Sequence, residues 1–497
     1  MMKARAAHIV AAIMFAMPSL AAAVVIYVSP TGTGNGTSWA AAAGIENAVN
    51  NLATNNDQLW IKQGTYTLAF SSGLTSPAAS LYGGFVGTET ALNQRSANAT
   101  LTVIQSRVWT LGFAFNPCVI DGFTLLRLPE IETTVNSRGH ATIRNCIFDG
   151  ARVDFISNSG NSTSLYDCVF KNNMTNGTGA AYIRTGALAR FYDCEFSFNH
   201  DNGAGGNGGG AINSSGYFLL DRCVLNNNSS DTTGGAIRVS NSQGEIYNSL
   251  FYNNAANQKG GAIYYSASSG SPFRFLKILN STFKGNSAPN DGSAFEIFLF
   301  SGTEFELRNS IVWGNTGSTE LNICNACGSP SIILSDNLMA DPLFADVGAN
   351  NYRLTECSPA LNAGNNAHTD GTQDLDLNPR ISGGTVDIGC YEFPGTPADS
   401  DSDGVPNACD ICEGFDDSVD INSNGIPDGC DAPCGMLFFG DLDANGMTDV
   451  DDVDEFVAIV LEPSSATPDE FCAADISEDG NVDGLDIPGL VSLVLTP

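Results

Sequence analysis

The 497-residue sequence predicts an all-β solenoid, a parallel β-helix, followed by a small acidic loop region and a short α-helical module. Three observations carry that expectation. Between about 140 and 315 one pattern recurs every 22 to 32 residues, too short for a strand–helix–strand unit with its turns and long enough for about three short strands per coil. Near the end, four twelve-residue segments each open and close on aspartate. After the last two of these, apolar residues return at identical offsets, as one helical face written twice.

The chain starts with Lys3 and Arg5, an apolar run from Ile9 to Met17, Pro18 and the small residues Ala21, Ala22 and Ala23. That order is an export signal over residues 1–23, cleaved after Ala23; apolar character continuing to Val28 leaves an uncleaved anchor as the competing reading. Nothing later is long and apolar enough to span a bilayer, so the mature chain is expected to have no membrane span. The expected location is secreted, extracellular or cell-surface, where disulfides persist. A cap and first coils follow over 24–100, with Ile45, Val49 and Leu52 on one face of a short helix suited to cover the open end of a coil.

The body, 101–345, is read from aligned repeats. Cys146, Cys168, Cys194, Cys223, Ser249, Ser281 and Ser310 share one position. Two residues later come Phe148, Phe170, Phe196, Leu225, Phe251, Phe283 and Val312, and five residues after the small position come Asn173, Asn199, Asn228, Asn254, Asn286 and Asn315. Coils stacked about 4.8 Å apart turn such columns into ladders. The Phe column is expected in the core, and the Asn column at a turn whose amides bond from coil to coil, Asn also tolerating the left-handed backbone of tight corners. A second strand follows a Gly-small-Ala-apolar motif, at Gly209 to Ile212, Gly234 to Ile237 and Gly260 to Ile263.

These repeats resemble the right-handed parallel β-helix proteins of the pectin-lyase-like class, and the GGAI and FxxN pairs resemble those of polymorphic outer membrane proteins. YVSPTGTGNGTSWAAA, LWIKQGTYTL and LYGGFVGTETALNQR look like the amino-terminal cap of secreted bacterial members. CSPALNAG with DLDLNPRISGGTVDIGCYEF, within an expected carboxy-terminal cap at 346–395, resembles their closing segment.

Charge separates the tail from the body. Residues 396–497 hold 25 acids and no Lys or Arg, out of a net charge of −33 for the whole chain. With a pI near 4.1 and no basic stripe, no nucleic-acid partner is expected. The acids fall at ligand spacing. In DSDSDGVPNACD, DINSNGIPDGCD, DLDANGMTDVDD and DISEDGNVDGLD, positions one, three, five, nine and twelve can surround a hard cation, and glycine at six (Gly404, Gly425, Gly446, Gly480) permits the turn. Calcium is therefore the expected cofactor. Residues 396–432 resemble a thrombospondin type 3 repeat, implying ligands Asp399, Asp401, Asp403 and Asp410, then Asp420, Asn422, Asn424, Asp428 and Asp431. Residues 433–497 resemble a type I dockerin, implying Asp441, Asp443, Asn445, Asp449 and Asp452, then Asp475, Ser477, Asp479, Asp483 and Asp486, with a cohesin-type protein as partner. Ser477 is a weaker ligand than Asp. Val450-Asp451 and Gly484-Leu485, at the cohesin-facing positions, do not match each other and speak against two-orientation binding.

Cys146, Cys168, Cys194 and Cys223, alternating with Ser in later coils, are expected as buried thiols. The thrombospondin resemblance implies Cys412 with Cys430, and the dockerin resemblance Cys434 with Cys472; Cys357 with Cys390 is expected across the cap. The lone CxxC of Cys324 and Cys327 lacks the partners of a zinc site and reads as a local disulfide or free thiols. Enzymes of the resembled class use carboxylates and Arg or Lys on an outward face, for which Asp149, Arg152 and Asp154, Glu195, and Glu304, Glu306 and Arg308 are candidates without a defining signature. Tyr166, Tyr192 and Tyr247 form a column open to sugar stacking or to loop packing. Two functions follow as expectations: a non-catalytic binding or adhesion surface for a glycan or protein, or a polysaccharide lyase or glycoside hydrolase docked through its tail.

Overall fold

The computed structural model describes residues 23–495 except 69–73, 77–78, 106–107, 112–117, 128–132, 138, 157–161, 204–207, 269–272, 325–328, 413, 415, 419–425, 428–429, 431–433 and 435–436. The export segment expected over 1–23 lies, but for Ala23, outside them. Among the described residues no helix is long and apolar enough to cross a membrane. The chain divides into two units. The first runs to Pro342 and includes Asn362–Glu392; the second joins Leu343–Leu361 to the residues from Phe393 onward.

The first unit is a parallel β-helix. Among the described residues, sheet 1 has twelve strands, from Val25–Val28 to Ser331–Ser335, sheet 2 has ten, from Gly64–Thr67 to Ile311–Trp313, and sheet 3 has ten, from Leu74–Ser76 to Leu321–Ile323. A small fourth sheet joins Met174–Thr175, His200–Asp201, Ser229–Ser230 and Ala255–Ala256. Each coil passes from sheet 1 round a corner to sheet 2, through the Asn turn, and on to sheet 3.

The expected columns are in register. Phe148 pairs with Phe170, Phe170 with Phe196, and Phe251 with Phe283; all are buried, and their rings stack at 4.6, 4.5 and 4.6 Å. The Asn ladder is continuous, each Nδ2 donating to the next Oδ1 at 2.8–2.9 Å from Asn173 through Asn315. The small column holds free, buried Cys146, Cys168, Cys194 and Cys223, each thiol donating to a carbonyl two residues back, as the Ser249, Ser281 and Ser310 hydroxyls do.

The expectation that the ladder Asn takes the left-handed backbone is corrected. The residue before it does so, at Asn172, Phe198, Asn227 and Asn253 (φ 52–55°), with Gly285 and Gly314 in later coils. That residue turns the chain and frees the ladder amide to point inward. A second left-handed column, Asn145, Asp167, Asp193, Arg222, Asn248, Asn280 and Asn309 (φ 48–54°), makes the corner between sheets 1 and 2. Glycine is required where a GGAI motif begins: Gly209, Gly234 and Gly260 have φ of 105, 68 and 67°, and a Cβ there would lie 2.3–2.5 Å from a carbonyl oxygen three residues on. At the amino-terminal end Ile45 and Val49 are buried, with Leu52 packed against the same core, within short helical turns over Ile45–Asn47 and Ala48–Leu52.

In the second unit, Phe344–Asp346 and Asn351–Leu354 form an antiparallel hairpin. Disulfides join Cys412 to Cys430 and Cys434 to Cys472. Cys357 pairs with Cys409, not with Cys390. The chain between Cys357 and Cys390 is split between units, leaving Cys390 a buried free thiol in the solenoid. Cys324 is disulfide-bonded, while Cys327 lies outside the described residues. Helices Val453–Leu461, Pro468–Ala474 and Ile487–Leu495 enclose a core of Phe456, Ile459, Ala473, Val482 and Leu490. The middle helix opens on a capping box, Thr467 Oγ1 accepting from Glu470 N and Glu470 Oε2 from Thr467 N, with Pro468 at its first turn.

Candidate cation loops and an outward polar row

The last two acidic loops share one hydrogen-bond scheme. The first-position carboxylate accepts from the amides of the fifth and sixth residues: Asp441 from Asn445 and Gly446 at 3.1 and 3.0 Å, Asp475 from Asp479 and Gly480 at 3.0 and 2.8 Å. The twelfth-position carboxylate accepts from the third and ninth: Asp452 from Asp443 and Asp449 at 3.1 and 2.8 Å, Asp486 from Ser477 and Asp483 at 2.7 and 2.9 Å. Gly404, Gly446 and Gly480 all have positive φ (97, 85 and 82°) and open space around a would-be Cβ, so backbone conformation and not crowding calls for glycine. The fourth position is left-handed in all three loops as well, at Ser402, Ala444 and Glu478 (φ 56–66°), a feature that those side chains do not advertise.

The donors fit a hard cation. They are carboxylate, amide and hydroxyl oxygens, the set calcium takes six to eight at a time. Asp441, Asp443 and Asp452 bring one oxygen each within 4.8 Å of one another, and so do Asp399, Asp401 and Asp403. Asp401 Oδ2 is buried without a hydrogen-bond partner. Burial and the neighbouring Asp452 and Asp443 hold the Asp441 carboxyl above its ordinary value. Burial also pushes Asp486 up, but the amides of Asp483 and Ser477 outweigh it and leave that carboxyl low. In the last loop, with Ser477 at the third position, no three acid oxygens converge in this way among the described residues. Asp410 is likewise outside the Asp399 group and instead accepts from Cys412 N at 2.7 Å. Asp420, Asn422, Asn424, Asp428 and Asp431, with Gly425, lie outside the described residues.

A second arrangement lies on the outward face of sheet 3. Register places Asp154, Tyr182, Asn213, Arg238, Tyr264 and Glu296 side by side on successive strands. Arg184 clasps Asp154 with Nε and Nη2 at 2.8 and 2.6 Å, and its guanidinium lies 5.0 Å over the Tyr182 ring. Glu296 is fully buried and held by Lys259 Nζ at 2.7 Å and Asn322 Nδ2 at 2.8 Å. Arg238 differs: its Nε is buried without a hydrogen-bond partner, and burial lowers its pKa from the usual range. Sequence reasoning missed this row although Asn213, Arg238, Tyr264 and Glu296 each directly follow the apolar residue of a Gly-small-Ala-apolar motif, because their side-chain types change from coil to coil.

The candidate catalytic residues do not assemble. Asp149 ends a strand of sheet 2 and pairs with Lys171 at 3.6 Å, whereas Arg152 and Asp154 lie on sheet 3, where Arg152 Nη1 donates to Thr178 Oγ1 at 3.0 Å. Glu304, Glu306 and Arg308 alternate along one strand of sheet 1, Arg308 pairing with Glu306 at 2.7 Å. Glu195 lies on sheet 2. Tyr166 and Tyr192 stack at 4.9 Å, but Asp221 occupies the next place in their column. Tyr247, one coil further, is buried, with its hydroxyl on Glu245 Oε2 at 2.7 Å.

The family model "Right handed beta helix region" matches residues 134–312. Over those residues the parallel β-helix is similar to a right-handed one. Among solved structures, the chain is similar to pectate lyase Pel9A (15% identity, TM-score 0.41, covering 76% of this chain and 98% of that one). It is also similar to a rhamnogalacturonan lyase (11%, 0.36, 67% and 95%) and to the PL6 family alginate lyase AlyGC (12%, 0.34, 76% and 60%). No curated protein matches.

Proposed function

We propose that this is a secreted or cell-surface, calcium-binding β-helix protein that holds an acidic glycan on sheet 3 without cleaving it. One observation carries the reading: Arg238, partly exposed and without an ion pair among the described residues, stands in register between Asn213 and the ring of Tyr264. A guanidinium presents a fork matched to carboxylate or sulfate, and a tyrosine ring accepts the apolar face of a sugar. The carboxylates of the same row speak for binding over catalysis. Asp154 and Glu296 are both engaged by cations, whereas a general base must reach the proton it removes.

The test is a polysaccharide panel with calcium present, read for binding, for new reducing ends and for the ultraviolet absorbance of unsaturated products. Retention of acidic polysaccharides without products is expected, with about tenfold or greater loss in Arg238→Gln, the scale of one charge-assisted contact. Turnover abolished by substituting Asp149, Asp154 or Glu195 would establish the lyase or hydrolase reading instead.

The tail supports a docking role under either reading. Its first and last helices line an apolar groove of about 340 Å³, with Val457 and Val491 half exposed and Leu461 and Leu495 exposed by 79% and 75%. Apolar surface left open on so acidic a module suits a partner protein, a cohesin-type domain being the one proposed. A pull-down with cohesin domains in calcium, lost in Val457→Asp and Val491→Asp, checks it.

A further inference from the structure

The segment 362–392 runs back along the outside of the corner between sheets 1 and 2. Asn309 Nδ2 donates to the carbonyl oxygens of Asn365 and His368 at 3.0 and 3.3 Å. Asn248 Nδ2 donates to Asp370 O at 3.2 Å, and Cys390 N donates to Thr282 Oγ1 at 3.1 Å. This strap covers the corner column at Asn309 and Asn248. Where the column continues as Arg222, Asp193 and Asp167, the strap's Leu375, Asp376, Leu377 and Tyr391 form one wall of a cleft of about 610 Å³, a volume in the range of small-ligand sites. Glu195 and Tyr252, from the outward face of sheet 2, complete it.

The charge in this cleft is one-sided. Asp167, Asp193, Glu195 and Asp376 line it against a single cation, Arg222. That guanidinium is already committed, to Asp193 at 2.7 and 3.0 Å and to Asp221 at 2.8 Å. Burial and the proximity of Asp193 raise the Asp167 carboxyl, as expected where like charges crowd. A uronate entering here would meet four carboxylates and no uncommitted cation. An ammonium or hydroxyl donor would meet acceptors on several sides, with the Tyr252 and Tyr391 rings and Leu377 offering apolar surface.

We propose that this cleft is a second saccharide site, separate from the sheet 3 row and of opposite preference, taking cationic amino sugars and excluding uronates. The chemistry that recognises the ligand is carboxylate to ammonium and hydroxyl, over an aromatic floor. Glu195, whose one side-chain hydrogen bond among the described residues is the 3.5 Å contact from Asn226 Nδ2 and whose carboxylate otherwise faces Tyr252, is the group most open to substitution without disturbing the fold.

The experiment titrates full-length protein, in calcium, with glucosamine tetramer, its N-acetylated counterpart and trigalacturonate, by calorimetry. The glucosamine tetramer should bind tightest and weaken with salt, and the double change Glu195→Gln with Asp376→Asn should reduce its affinity about tenfold or more with an unchanged melting temperature. Arg238→Gln should leave this binding intact, so failure of the sheet 3 reading and failure of this one are separable. Absence of glucosamine tetramer binding, equal binding of trigalacturonate, or indifference to the double change would each overturn the proposal.

Discussion

In the solenoid, Asn228 donates its amide to Asn254 Oδ1 at 2.9 Å and receives that of Asn199 at 2.8 Å, and the same exchange runs through neighbouring coils. In the tail, Asp452 accepts amides from Leu442, Asp443 and Asp449, all within its own loop. The two regions solve the problem of buried polar groups with opposite chemistry. A neutral amide is donor and acceptor at once, so a column of identical residues satisfies itself and extends by addition. A carboxylate only accepts; packed amides meet part of its need, but the charge remains, and gathering three of them is favourable only around a cation. Repetition therefore stabilises the solenoid, while an ion from solution is expected to complete the tail.

The sharpest test of that contrast is chelation. Removing calcium is expected to make residues 399–495 protease-sensitive while the solenoid resists, because metal binding and folding are coupled where the ligands are the fold's main charges; limited proteolysis with and without chelator reads it, and equal resistance of the tail in both would dissolve the distinction. Within the solenoid, Phe196→Ala removes a ring that stacks on Phe170 at 4.5 Å and meets Phe191 edge-on at 5.4 Å. It should cost about 3–5 kcal/mol in thermal or denaturant unfolding. Asn228→Ala should cost somewhat less, about 2–3 kcal/mol, by taking the Asn228 amide from the Phe196 carbonyl and its oxygen from the Asn199 amide, while Asn254 Oδ1 keeps the residue 228 backbone N–H.

A smaller effect is expected of one buried acid of the solenoid. Glu392, beside Arg380, is pushed by burial from 4.5 up to about 8, with Asp387 adding to the rise and Arg380 opposing it. A carboxyl whose folded pKa is raised binds its proton more tightly in the native state. Its contribution to stability is thus fully present below about 4.5 and is lost as pH climbs through about 8. Melting temperatures of residues 24–395 should fall across that window in the wild type and less so in Glu392→Gln; parallel slopes would show that Arg380 keeps the carboxylate ionised throughout.

What was legible before the fold was known follows the same division. The Cys/Ser, Phe and Asn columns could be read because every coil restates them and each member has the same neighbours above and below. The left-handed corner was masked by the ladder Asn, to which that backbone was assigned, although six of its seven members, all but Arg222, are Asn or Asp, the types that tolerate the conformation. The strap was recognisable as a closing segment, but the docking of Asp370 on Asn248 joins residues 122 apart by contacts that occur once. The Cys357–Cys409 bridge was misassigned for a related reason: spacing cannot tell which of two distant cysteines shares a unit with a third.

By itself, then, the sequence determined the periodic elements of this protein: solenoid, ladders and acidic loops, each specified by local rules applied many times over. The tertiary structure decided what depends on a single juxtaposition. Asp149 is kept from Asp154 by the turn between sheets 2 and 3, and the strap forms one wall of a cleft at Arg222. Periodicity fixes which residues can be neighbours along a column, whereas distances across the coil and along its outside depend on loop lengths and packing that no repeat encodes.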